Sequence, residues 1–80
     1  MGELNKFVFC TALGRNISKI RKSKGLTLEK LAYEMGISKG NLSDIENGKI
    51  DPRASTLALI AEGLSVTVSK LFTGISNTNN

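Results

Sequence analysis

The chain has 80 residues, 40% of them hydrophobic, and a formal net charge of +4, which suits one domain with a small core that folds without metal or disulfide. Cys10 is the single cysteine, so no internal disulfide can form and a reducing cytoplasm is the expected setting. Histidine is absent, no metal cluster or phosphate-cradling glycine loop is visible, and no apolar run approaches the roughly 20 residues that cross a bilayer; neither an enzyme, a cofactor nor a membrane segment is expected.

The opening MGELNKFVF lacks the basic-then-apolar order of a signal peptide, and its Met-Gly start has no Ser or Thr where myristoylation wants one. A first helix carries Leu13, Ile17 and Ile20 on one stripe and stops near Gly25, a residue suited to a left-handed cap. Residues 1–12 either extend this helix backwards through Phe7, Val8, Phe9 and Cys10 or form a short arm; extension is favoured. Arg15, Lys19, Arg21, Lys22 and Lys24 form a basic block with no acid between Phe7 and Thr27. Such a run either dresses a solvated helix or awaits an anionic partner, and both stay open.

Thr27 caps a second helix whose Leu28, Leu31, Ala32 and Met35 fall at i, i+3, i+4 and i+7. Gly36 ends it, Ile37 turns the corner, and Ser38 caps a third helix running to about Asn47, closed by Gly48. A loop, Lys49 to Arg53, holds the only proline, Pro52. A fourth helix, about Ala54 to Gly63, offers Leu57, Ile60, Ala61 and Leu64 to the core. Thr67 caps a short fifth with Val68, Leu71 and Phe72, and 73–80 read as a disordered tail. The expectation is an all-α, five-helix domain over 13–72.

At 100° per residue the third helix sorts into faces. Leu42 and Ile45 point inward, Gly40, Ser43, Asp44 and Asn47 point outward, and Lys39 and Asn41 flank the first turn. This outer face is short and polar, without the Glu/Lys pairs of a solvated helix, as a surface entering a DNA groove must be. Lys39 can donate to guanine or a phosphate, and Asn41 can pair with adenine. Gly40 either permits close backbone approach or is simply tolerated. Asp44 is repelled by phosphates unless it accepts from cytosine or orients Lys39. Ser38, Asn47 and Lys49 are candidate phosphate contacts, although Ser38 also serves as a cap and Asn47-Gly48 also ends a helix. Arg21 and Glu46 sit on helix shoulders, which suggests a partly buried ion pair tying the first helix to the third.

Together, Leu13-Gly14, IRKSKGLT, LEKLA, MGIS, LSDIENGK and the trailing Pro52, Thr56-Leu57, Ile60-Ala61, Leu64, Val66, Leu71-Phe72 resemble the helix-turn-helix domain of lambdoid phage repressors, Cro proteins and small bacterial regulators, over roughly Leu13 to Phe72. The resemblance implies a lambda-repressor-like fold in which Thr27 to Met35 crosses the DNA backbone and Ser38 to Asn47 enters the major groove. Lys39, Gly40 and Asp44 then stand where such proteins read bases, and Asn47, Lys49 and Arg53 where they meet phosphates; backbone N–H groups at the start of the second helix can also meet a phosphate, helped by Thr27. Arg21 and Glu46 stand at the family's internal ion pair. Two departures are Leu28, where the family commonly has a glutamine serving a phosphate, and Gly40, which thins base readout. In size and in the residues before the first helix, the chain also resembles the controller proteins of restriction–modification systems. With the fifth helix so near its end, no sensing or peptidase domain is expected to follow.

One recognition helix reads few base pairs, so specific binding implies a two-fold dimer on half-sites about 34 Å apart. Val66, Val68, Leu71 and Phe72 are the interface candidates, joined by Phe7 and Phe9; ordinary core packing is favoured for Leu71 and Phe72. The expected function is transcriptional regulation on double-stranded DNA, with RNA polymerase a candidate further partner. A competing expectation is an antitoxin or protein-interaction module using the Phe7 to Cys10 segment, which would have to be mobile and exposed. RNA binding lacks stacking aromatics, since Tyr33 stands alone on the polar elements.

Overall fold

The computed structural model describes residues 5–75, among which there are four α-helices and one 3₁₀ helix and no strand. Of the expected 1–12 extension and 73–80 tail, residues 1–4 and 76–80 lie outside the described residues; residues 73–75 are not disordered, for the Ile75 N–H bonds the Phe72 carbonyl at 3.0 Å and Ile75 packs against the core. Helix α1 (Lys6–Ser23) begins at Asn5, whose Oδ1 accepts the Val8 N–H at 2.9 Å. The Phe7 to Cys10 segment is therefore the start of a helix and not an arm. One side of it supplies Cys10, Leu13, Gly14, Ile17 and Arg21 to the interior, the spacing a single buried stripe requires.

Helices α2 (Leu28–Met35) and α3 (Lys39–Glu46) are each eight residues long, too short to be stable alone in water. Their ends are fixed by side chains and by one left-handed glycine. Thr27 Oγ1 accepts from Lys30 N–H at 3.1 Å and Ser38 Oγ from Asn41 N–H at 3.0 Å, each cap contributing about 1 kcal/mol. Between them Gly36 takes φ +70°, and the Ile37 N–H reaches back to the Ala32 carbonyl at 2.9 Å. That turn swings the chain sharply and buries Ile37 at the corner.

Helix α4 (Ala54–Leu64) runs one residue past Gly63 and buries Leu57, Ile60, Ala61 and Leu64. The fifth element differs from expectation: Val68–Phe72 is a five-residue 3₁₀ helix. Its Thr67 cap and the turn at Thr73, whose N–H and Oγ1 both bond the Lys70 carbonyl, leave no room for a full i→i+4 ladder. It packs on α1 and α4, while α3 packs on α1 and α2. Asn16 of α1 staples it in place, its Nδ2 donating to the carbonyls of Leu71 (2.9 Å) and Thr73 (2.8 Å).

The core gathers Leu13, Ile17, Leu31, Leu42, Ile45, Ile60, Leu64 and Leu71, all fully buried. Each contributes about 1.5–3 kcal/mol by leaving water. Two of the eight belong to α3, so its inward face is anchored while its length stays at the surface.

Candidate nucleic-acid interface

Helix α3 is held from behind by three independent means. Leu42 and Ile45 are 0% and 1% exposed. Gly14 of α1 lets the two backbones meet, for a Cβ there would lie 2.3 Å from the Ile45 carbonyl oxygen and 2.7 Å from that of Glu46. Only glycine permits that crossing. Third, Arg21 forks onto Glu46, Nε to Oε2 at 2.7 Å and Nη2 to Oε1 at 3.0 Å, while its Nη1 donates to the Leu26 carbonyl at 2.7 Å. The pair is nearly buried, at 10% and 7% side-chain exposure. Hydrogen bonding to Glu46 raises the Arg21 pKa against an opposing desolvation effect. Two parallel N–H···O bonds in a dry site set angle as well as distance.

The opposite side of α3 is open. Lys39, Gly40, Asn41 and Asn47 are exposed, and Ser43 and Asp44 half-buried. A Cβ added at Gly40 would meet nothing within 4 Å. Asn47 closes the helix, its Nδ2 donating to the Ser43 carbonyl at 2.9 Å, and Gly48 follows at φ +72° against Thr11. Lys39 makes one contact, Nζ to Glu29 Oε2 at 2.9 Å. Asp44 is thus not its partner in the free protein; the acid at the start of α2 is. Lys39 in turn holds the Glu29 carboxyl below the usual carboxylate range, helped by Glu29's own backbone N–H.

A capped eight-residue helix with a locked inner face and a bare polar outer face, preceded by a second short helix across a glycine turn, is the helix-turn-helix arrangement. The Helix-turn-helix family profile, HTH_3, matches residues 17–71. The chain belongs to this family of transcriptional regulators. It is similar to a helix-turn-helix-type transcriptional regulator of Sinorhizobium fredii, 35% identical over 66 residues that cover 82% of this chain and 86% of the relative. It is also similar to the control protein C.MunI of a Mycoplasma species, 36% identical over 63 residues, covering 78% and 85%. Among solved structures, the restriction–modification controller protein C.Esp1396I, a tetramer in complex with its natural 35-base-pair operator, superposes with a TM-score of 0.73 at 33% identity, covering 80% and 84%.

The other helix-turn-helix candidates fall around α3 unevenly. Ser38 and Thr27 lie exposed at the N-termini of α3 and α2. Lys49 and Arg53 are exposed in the loop beyond Gly48, and Arg53 opens α4 without a side-chain cap bond. Asn41 and Arg53 share one shallow depression with Pro52 and Thr56, so Asn41 stands on the loop-facing shoulder of α3. Leu28, the departure from the family's glutamine, packs against the core.

The expected interface residues divide. Leu71 is 0% exposed, so it belongs to the protomer's own core and is removed from the interface set. Phe72 is half-buried and stacks on Phe9, ring centroids 5.8 Å apart. Val66 is half-buried, and Val68 is exposed, as is Leu59 of α4. Of three residues that hold α3 or its surroundings, Gly14 figures in the sequence only within the family resemblance and without this role, and Asn16 and Glu29 were not singled out from the sequence. A glycine and an asparagine inside an otherwise regular helix were the visible signal for the first two. Glu29 carried none, since its partner is fixed only by the turn.

Proposed function

We propose that the chain is a sequence-specific double-stranded DNA-binding regulator that works in the cytoplasm as a homodimer on a palindromic operator and controls its own gene. The observation that carries this reading is the contrast across α3, buried at Leu42 and Ile45 and open at Lys39, Gly40, Asn41 and Asn47. In it, Lys39, Gly40, Asn41, Ser43 and Asp44 meet base edges, and Thr27, Ser38, Asn47, Lys49 and Arg53 meet phosphates. Lys39 exchanges Glu29 for DNA on binding, and the backbone at Gly40 approaches the groove floor. Val66, Val68 and the half-buried Phe72, with Leu59 and the exposed Phe7, are apolar side chains offered to a second copy. The operator-bound tetramer of C.Esp1396I supports assembly of this kind, because one short helix reads too few base pairs to be specific alone.

Footprinting on DNA upstream of the protein's own gene tests the reading. Two protected half-sites about 34 Å apart on one face are expected; absence of protection there would count against self-regulation. Asp44→Ala should alter sequence preference more than overall affinity. A uniform gain on all duplexes would show that Asp44 reads nothing.

The antitoxin alternative needs a free N-terminal segment. Phe7 and Val8 are exposed, at 74% and 44%, but they lie within α1, where Cys10 is 5% exposed and Phe9 stacks on Phe72, so an exposed apolar face is present and a free arm is not.

A further inference from the structure

A concave surface lies beside the end of α3, and apart from Asn47 its lining residues are not among those assigned above to DNA. Arg15, Ser18, Lys19 and Lys22 of α1 line one side and Glu46 and Asn47 the other. Arg15, Lys19 and Lys22 recur at i, i+4 and i+7, so they form one ridge along the helix. All three are exposed. Among the described residues the ion pairs are Arg21–Glu46, Lys30–Glu34 and Lys39–Glu29, so no acid neutralises this ridge. Glu46, the carboxylate in the cleft, already accepts from Nε and Nη2 of Arg21. The cleft is therefore cationic and concave, with the Asn47 amide at its edge.

Its position is what gives it an occupant. An eight-residue helix is about 12 Å long, close to the width of the major groove, so a first turn at the bases brings Asn47 to the phosphate ridge that bounds the groove. Beside it the ridge of α1 spans about 10 Å between Arg15 and Lys22, the axial length of about three nucleotide steps on one strand.

We propose that this cleft is a phosphodiester seat, in which Arg15, Lys19 and Lys22 grip two or three successive phosphates of the strand beyond Asn47 and lengthen the footprint past the helix-turn-helix. The seat rests on the reading of the chain as a DNA binder. It contacts backbone only, so it strengthens binding to every sequence alike and adds salt dependence without specificity.

The test uses the full chain and a labelled random-sequence duplex of about 30 base pairs, with binding followed by anisotropy from about 50 to 200 mM salt. Arg15→Gln and Lys22→Gln should each lower the log–log salt slope by about 1, and the double variant by about 2. Lys70→Gln, on the 3₁₀ helix outside the cleft, should leave it unchanged. Equal losses in all three single variants would mean a general charge effect and overturn the seat. A double variant with the parental slope would also overturn it, and would leave the ridge to an acidic protein surface instead. No salt-sensitive binding by the parent protein would overturn the DNA reading itself, a result separable from the other two.

Discussion

The two sides of α3 are built to opposite standards. On the inner side, side-chain burial, a glycine crossing and a forked ion pair each fix the same helix. On the outer side a missing Cβ faces open space, and the first side chain makes one solvent-exposed ion pair that can be exchanged. A helix that must present polar groups to a rigid partner cannot be stabilised by burying them, so its rigidity has to come from behind. Stability and recognition are thereby separated onto opposite faces of eight residues.

Glu46→Ala should break that contrast most severely. It strands Arg21, whose side chain is 10% exposed, as a buried cation with no counter-charge, held only by the Leu26 carbonyl. The expected cost is about 3–5 kcal/mol in chemical denaturation. Replacing both partners together by apolar residues should recover much of this, because no charge is then left unpaired. A loss below about 1 kcal/mol for Glu46→Ala would place the pair in effective contact with water.

Gly14→Ala comes next. The added methyl cannot coexist with the carbonyls of Ile45 and Glu46, so α1 and α3 must separate, at about 1–3 kcal/mol. Gly40→Ala, on the same helix, should act with the opposite sign. With open space at that position, removing the flexible glycine stabilises by up to about 1 kcal/mol, a rise of roughly 4–8 °C in Tm per kcal/mol for a domain of this size. Reduced duplex binding by the more stable Gly40→Ala protein would show that the bare backbone serves recognition.

The smallest effect belongs to the Lys39–Glu29 pair. Because the Glu29 carboxyl is held below its ordinary value in the folded protein, the pair's contribution is complete above the ordinary carboxylate range. It is lost as the pH falls through the lowered value. Carboxyl titration by NMR should show the Glu29 midpoint moving up towards ordinary glutamate in Lys39→Gln.

Much of this contrast can be read from residues alone. Leu42 and Ile45 follow from periodicity, Ser38 and Thr27 from capping chemistry, and the Arg21–Glu46 pair from two charged residues on helix shoulders beside apolar stripes. What the pattern could not carry was anything decided by the approach of distant backbones. Gly14 matters because α1 crosses α3 there, and Asn16 because the 3₁₀ helix ends above it. Leu71 reads as an interface candidate with core packing favoured, since an apolar residue near a surface element can meet either demand. Only the packing of the 3₁₀ helix on α1 and α4 decides for the core. The Lys39–Glu29 contact depends on the angle between two helices, which Gly36 sets and composition does not reveal.

The most direct test is titration of isotope-labelled protein with duplex DNA from upstream of its own gene, following backbone amides by NMR. The largest perturbations should fall on Lys39 through Asn47, with Leu42 and Ile45 side chains nearly silent behind them. Changes confined to Phe7 through Cys10, or to the 3₁₀ helix, with α3 unaffected, would contradict the account.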